Sequence, residues 1–147
     1  MFKTFSLAAL ALAALVQFGS PVAAQDAPSP EATYADIQAT LGVVPSHIKG
    51  YPVQAVAGAW EMTKGLLFDP SNALDPKTKS LIGLAVAAQI PCQYCIWLET
   101  KFAKAQGATE AEVSEAVAQA GYIRMWSTVI NGLQIDFDTF KAEFGGE

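Results

Sequence analysis

The sequence is poor in the side chains that most often carry chemistry at neutral pH. It contains one histidine, His47, and two cysteines, Cys92 and Cys95. A zinc site usually takes four ligands of these types, so the chain lacks a complete set for one. Basic residues are also few, since nine Lys and Arg stand against 14 Asp and Glu, for a net charge of −5. A chain of that sign is poorly suited to attract nucleic acid or an anionic membrane surface.

The sequence also lacks a strand signal, because no segment alternates apolar and polar residues between turns. Helix signals are present instead: Ser29-Pro30 and Asp75-Pro76 each combine a capping residue with a first-turn proline, and Thr109–Glu112 has the pattern of a capping box. These signals predict an all-α protein. Helices are expected at about residues 30–41, 53–67, 76–89, 92–106, 109–120, 122–131 and 138–144. The third is apolar nearly all round, so it should be central and buried.

The first 24 residues have the layout of a secretory signal peptide. Lys3 precedes an apolar run of about 14 residues, fewer than the roughly 20 that a spanning helix needs. A small-residue ending at Ala24 is typical of a cleavage site. We therefore expect a signal peptide at 1–24, a lead and first helix at 25–40, and a single domain at 41–147. The mature protein should be exported, to the periplasm, with no membrane attachment after cleavage.

The two cysteines lie close together, in the stretch IPCQYCIWLE. On a helix, Cys92, Cys95 and Glu99 share one face, because they are three and then four residues apart. The first turn of a helix stabilises a thiolate, which suits a reactive pair. As a structural staple the bridge would be weak, since it encloses only two residues. Redox chemistry is therefore the favoured interpretation over a staple or a metal site.

The segment LDPKTKSLIGLAVAAQIPCQYCIWLETKFAKAQGATEAEVSEAVAQA resembles the core of the carboxymuconolactone decarboxylase-like superfamily, in its AhpD-like alkylhydroperoxidase branch. The likeness extends over roughly residues 41–140. It implies an AhpD-like helical bundle that forms a homo-oligomer, a trimer or larger. It also implies a thiol peroxidase in which one cysteine attacks a peroxide and the other closes a disulfide, which a thiol or dithiol reductant reopens. No metal or organic cofactor is implied.

Two positions depart from the family's motif. Glu99 stands where the family has a histidine, and Ser80 stands where it usually has a glutamate. The resemblance gives these positions to a proton relay that prepares the thiol. An ionised Glu99 would disfavour a nearby thiolate, yet it can serve as a general base if its proton affinity approaches that of the thiol. Glu99 is thus either a displaced base or a solvated helix residue beside a weakened site.

The roles of the two cysteines also stay open at this point. Cys92 is the better placed for stabilisation by the helix dipole, whereas Cys95 is nearer to Glu99 and to the family's relay. We favour Cys95 as the attacking residue and Cys92 as the resolving one. Two other functions remain as alternatives, a carboxymuconolactone decarboxylase-like lyase and a non-catalytic oligomeric scaffold on the same fold.

The remaining candidates are weaker. His47 is expected to be a loop or surface residue, because no cysteine or acid stands at a catalytic spacing from it. Tyr94 lies between the cysteines and is a minor candidate for a direct role. Trp60, Trp97 and Trp126 are expected to anchor the core or a subunit interface.

Overall fold

The part of the chain that the structure describes, residues 27–146, is built from helices. In this computed structural model they are α1 (Pro30–Leu41), α2 (Ser46–Lys49), a 3-10 turn (Val53–Ala55), α3 (Val56–Leu67), α4 (Pro76–Gln89), α5 (Gln93–Ala105), α6 (Glu110–Gly132) and α7 (Phe137–Glu143). The all-α prediction is confirmed. The predicted signal peptide lies outside the described residues. No helix between residues 27 and 146 is long and apolar enough to cross a membrane.

The capping signals read from the sequence begin the helices that they predict. Ser29 Oγ accepts a hydrogen bond from the backbone N–H of Ala32 at 3.2 Å, at the start of α1. At the start of α6, Thr109 Oγ1 accepts from the N–H of Glu112, whose carboxylate accepts from the N–H of Thr109 at 2.7 Å. Caps of this kind contribute about 1 kcal/mol each to helix stability. Local sequence therefore fixes where these helices start.

One predicted boundary is wrong, because α6 is a single helix where the sequence suggested two. The expected break lay at Gly121, but a glycine inside a helix costs only about 1 kcal/mol relative to alanine. Contacts with α4 hold the helix on both sides of it. Gln89 Nε2 donates to the carbonyl of Ala120 at 2.7 Å, and Arg124 Nε donates to Gln89 Oε1 at 2.7 Å. This tertiary contact keeps the helix continuous.

Two smaller differences concern the segment before α3. The predicted loop after Gly42 contains the short helix α2, and the helix predicted from Val53 begins with a 3-10 turn before α3. Both differences concern a single turn of backbone, and neither changes the order of the longer helices.

The buried side chains form two groups. Ile37 of α1 packs with Val56 and Trp60 of α3, and all three are almost fully buried. Asp36 Oδ2 accepts hydrogen bonds from Trp60 Nε1 and Lys64 Nζ, both at 2.8 Å, which joins the same two helices. The second group lies where α4 packs against α5 and α6, and it includes Leu84, Ala87, Ala103 and Ala120.

The expectation that α4 is buried on all sides is wrong for the single chain. Leu84 and Ala87 are buried, but Ile82 is 49% exposed and Val86 is 54% exposed. The second half of α6 and its C-cap residue also show an exposed apolar stripe with helical spacing, formed by Tyr122, Met125, Trp126, Val129 and Leu133. The apolar surface of these helices therefore exceeds what residues 27–146 cover.

Candidate redox site

The cysteine pair lies in the turn between α4 and α5. Cys92 and Cys95 form a disulfide, with their Cα atoms 5.3 Å apart. The backbone N–H of Cys92 donates to the carbonyl of Ala87, near the end of α4, at 3.1 Å. The pair is thus hydrogen-bonded to α4 through the backbone of Cys92, and it lies at the start of α5.

Cys92 is the N-cap of α5, one residue earlier than the first helical residue. Its sulfur accepts a hydrogen bond from the backbone N–H of Cys95 at 3.2 Å. This sulfur thus lies at the N-terminus of α5, the end of a helix that carries unpaired N–H groups and the positive end of the dipole. When the disulfide is open, this environment stabilises a thiolate at Cys92, and a stabilised thiolate is a good leaving group in thiol–disulfide exchange.

Glu99 lies one helical turn beyond Cys95 and packs against α4. A methyl group placed on Gly83 would lie 2.7 Å from Cδ of Glu99 and 2.9 Å from Oε2, so the carboxyl occupies the space that a side chain at Gly83 would fill. Burial raises the pKa of Glu99 above its usual value. The solvated position considered for Glu99 is therefore not what the structure shows, because the carboxyl is half-buried between two helices.

Ser80 lies on the same side of α4 as this contact. It is buried, at 8% exposure, and precedes Gly83 by three residues, which places the two on one face of the helix. The structure therefore brings the two positions that depart from the family motif, Ser80 and Glu99, to the same part of the α4–α5 contact.

A broad apolar groove runs along another face of α5. It has a volume of about 890 Å³ and lies between α5 and the segment that contains α1, α2 and α3. Its walls include His47, Tyr51, Trp60, Tyr94, Trp97 and Lys101. Trp60 belongs to the core, as one of the predicted alternatives had it, but Trp97 is 63% exposed and lines the groove. His47 is exposed, as expected, and forms part of the groove wall.

Two residues of this region were not singled out from the sequence. The Glu99 carboxyl packs against Gly83. The sequence signal for this contact was a glycine inside an apolar helix, which often has a packing reason. Lys101 follows Trp97 by one turn, with Nζ 5.1 Å from the centroid of the indole. The spacing of those two residues on a helix was the signal available.

The chemistry of this arrangement is that of a dithiol with one nearby acid. Within residues 27–146, no group of three or more His, Cys, Asp and Glu side chains comes together in a way that could hold a metal ion. The groups in place at the turn are two sulfurs, the N–H groups that begin α5 and a carboxyl with raised proton affinity. These suit proton transfer and thiol–disulfide exchange.

Comparisons with known proteins agree with the helical fold. The crystal structure of the alkylhydroperoxidase AhpD core from Rhodospirillum rubrum superposes with a TM-score of 0.66 at 30% identity, over 76% of this chain and 85% of that one. "Uncharacterized protein 4 in cox locus" of Paracoccus denitrificans is 42% identical over 53 residues, or 36% of this chain. The chain spans about half (48%) of the length of that curated relative. The model of the carboxymuconolactone decarboxylase family matches residues 54–136, a range that contains Ser80, both cysteines and Glu99. The chain therefore belongs to the carboxymuconolactone decarboxylase family, with the all-helical fold of its AhpD-like members.

Proposed function

We propose that the protein is an exported thiol peroxidase that cycles between the Cys92–Cys95 dithiol and its disulfide. The observation that carries this proposal is the disulfide at the N-terminus of α5, one turn before a half-buried carboxyl. A bridge that closes so small a loop contributes little as a staple, whereas its position stabilises the thiolate that redox cycling requires.

In the proposed reaction Cys95 attacks and Cys92 resolves. Glu99 follows Cys95 by four residues, so it lies on the same face of α5 and takes the thiol proton. The Cys95 thiolate attacks the terminal oxygen of the peroxide, the O–O bond breaks, and the alkoxide takes up a proton and leaves as an alcohol. The Cys95 sulfenic acid then reacts with Cys92, forming the disulfide and releasing water.

The cycle closes with a thiol or dithiol reductant. Its thiolate attacks the Cys95 sulfur, and Cys92 leaves as the thiolate that the N–H of Cys95 stabilises. A second reductant thiol resolves the mixed disulfide, so the pair is again reduced and the reductant carries the disulfide. The balance of one turnover is two reductant thiols and one peroxide consumed, and one disulfide, one alcohol and one water formed.

The proposal includes a homo-oligomer. Exposed apolar residues form a stripe on α6, at Tyr122, Met125, Trp126, Val129 and Leu133. The opposite side of α6 is occupied by α4, through the contacts of Gln89 with Ala120 and Arg124. A continuous apolar stripe of this kind marks a surface that another protein covers, and a second copy of the chain is the partner that family membership favours.

Peroxide should consume both thiols of the reduced protein. We expect one equivalent of an organic hydroperoxide to remove the two free thiols. The Cys92→Ser variant should accumulate a sulfenic acid on Cys95 that dimedone traps, and the Cys95→Ser variant should not react. Free-thiol titration and mass spectrometry measure these outcomes. Thiols that stay free in the wild type would exclude the peroxidase, and a lyase activity that survives loss of both cysteines would favour the decarboxylase-like alternative.

The state of Glu99 can be measured through stability as a function of pH. Because burial raises the pKa of Glu99 above the 4.5 of an unfolded glutamate, the protonated form favours the folded chain. That contribution is present below pH 4.5 and is lost as the pH rises through the raised value. The Glu99→Gln variant should therefore gain thermal stability over the wild type as the pH rises, and lose peroxide reactivity by about 100-fold if Glu99 is the base.

The Glu112→Gln variant is the matched control for this measurement. In the wild type, the hydrogen bond from Lys77 and then those from the N–H and hydroxyl of Thr109 lower the pKa of Glu112 to about 2. Ionised Glu112 thus stabilises the folded chain above pH 4.5, and this contribution is lost as the pH falls towards about 2. Glu112→Gln should be the less stable at neutral pH, with the difference vanishing in acid. If Glu99→Gln shows no pH-dependent difference from the wild type, the raised pKa of Glu99 is refuted.

Restoring the family residues separates a weakened enzyme from a scaffold. The double variant Ser80→Glu with Glu99→His puts a carboxyl and an imidazole at positions that lie together along the α4–α5 contact. We expect it to raise peroxide turnover by about tenfold or more, through acid–base catalysis by the imidazole. Ser80→Glu alone should instead reduce stability, because it buries an unpaired carboxyl. Steady-state turnover and thermal denaturation test this, and a double variant without a gain would favour the scaffold.

The α6 stripe predicts the behaviour of the protein in sedimentation. The wild type should sediment as a trimer or larger species, and the double variant Met125→Asp with Val129→Asp should sediment as a monomer. The control is Ser127→Asp, which adds a charge at an exposed position of the same helix away from the stripe. A monomeric wild type, or a double variant that still assembles, would rule out this interface.

A further inference from the structure

The groove beside α5 has the size and lining of a binding site for a small amphipathic molecule. Its volume of about 890 Å³ lies within the range that ligand sites span, roughly 300–1,000 Å³. Most of its wall is apolar or aromatic, and Tyr94 and Trp97 present exposed faces to it, at 78% and 63% exposure. A second cavity, of about 300 Å³ near Ile130 and Phe140, has no charged group in its lining.

The charge in the groove has one sign. Lys101 lines it, and neither Asp nor Glu is among the described residues that do so. The ammonium of Lys101 lies 5.1 Å from the centre of the Trp97 ring, which holds the cation at the apolar wall. The groove therefore favours an anionic head group joined to an apolar body.

The position of Lys101 sets the direction in which such a molecule would lie. Gln93 and Tyr94, the two residues that the disulfide encloses, line the other end of the groove. Tyr94 and Lys101 are seven positions apart on the helix, a distance of about 10 Å along α5. A head group at Lys101 thus places the middle or end of a medium-length hydrocarbon chain beside the turn that carries the cysteines.

We propose that this groove binds medium-chain fatty-acid-like carboxylates, with the carboxylate at Lys101 and the chain directed towards Tyr94. Where the proposed peroxidase function holds, on which this part rests, the substrate class is the hydroperoxide of such an acid. The terminal peroxide oxygen then passes to the Cys95 sulfur as the O–O bond breaks, and the alkoxide takes up a proton and leaves as the hydroxy acid. The binding site itself does not depend on that reaction.

A second copy of the chain fits this groove less well than such a ligand. The α6 stripe already offers a continuous apolar face for assembly. The groove, in contrast, is concave, and an apolar segment from another copy would leave the Lys101 cation without an anionic partner, which costs binding free energy. A carboxylate satisfies the cation and lets the chain cover the aromatic wall.

Calorimetric titration with decanoate, decanol and decylammonium tests the proposal on the full mature protein with its disulfide closed. We expect decanoate to bind the most tightly and decylammonium the least. Lys101→Met should weaken decanoate binding by about tenfold, the equivalent of one charge-assisted hydrogen bond, and leave decanol unchanged. Lys104→Met is the control, because Lys104 lies on α5 outside the groove and pairs with Glu110 on the surface. Trp97→Ala should weaken decanoate and decanol alike.

Three outcomes would overturn the proposal. They are no decanoate binding to the wild type, equal affinity for decanoate and decylammonium, and unchanged decanoate affinity in Lys101→Met. Sedimentation of Trp97→Ala adds a fourth, since loss of assembly would make the groove a subunit interface. The peroxidase is judged separately by the thiol titration. Decanoate binding without peroxide reactivity would support the groove and refute the peroxidase, and the reverse result would refute the groove alone.

Discussion

The packing of α5 against α4 is the constraint on which the candidate site depends. It holds the cysteine turn through the hydrogen bond from Cys92 to the carbonyl of Ala87, and it holds Glu99 against the bare backbone of Gly83. The first contact fixes where α5 begins, and the second fixes the solvation of the carboxyl one turn beyond Cys95. Both the sulfur chemistry and the proton chemistry of the site follow from how closely these two helices approach.

This arrangement gives a physical account of how a carboxylate can stand in the position to which the sequence resemblance assigns an imidazole. A solvated glutamate is too weak a base for a thiol, because its pKa is far below that of cysteine. Burial against α4 moves the pKa of Glu99 upwards, in the direction that acid–base catalysis needs. The same burial destabilises the folded chain when Glu99 is ionised. The raised pKa of Glu99 is therefore accompanied by a lower free energy of unfolding at neutral pH.

Features set by neighbouring residues were predictable from the sequence. The caps at Ser29, Asp75 and Thr109 act within one turn of helix, and the structure confirms them. The cysteine pair at the start of α5 was predictable for the same reason. The continuity of α6 through Gly121 was not, because Gln89 and Arg124, more than thirty residues apart, hold it together. Such pairings arise only when helices dock, and no periodicity in a single segment records them.

The same limit applies to the groove and to the exposed apolar faces. Helical periodicity identified α4 and α6 as apolar, but it cannot tell a face that another helix covers from one that stays open. Trp60 and Trp97 looked alike in sequence, and one is buried while the other is 63% exposed. The difference lies in what packs against each, which the sequence alone does not express.

Gly83 influences the site through the side chain that it lacks. The Glu99 carboxyl occupies the space next to the Cα of Gly83, where it is partly desolvated. The proton affinity of a residue on α5 therefore depends on which residue stands at this position of α4. Any larger residue there would push the carboxyl towards solvent and return it to the behaviour of an ordinary glutamate. Adding one methyl group at position 83, which is not next to the cysteines in sequence, is thus enough to change the pKa of the acid that lies beside them.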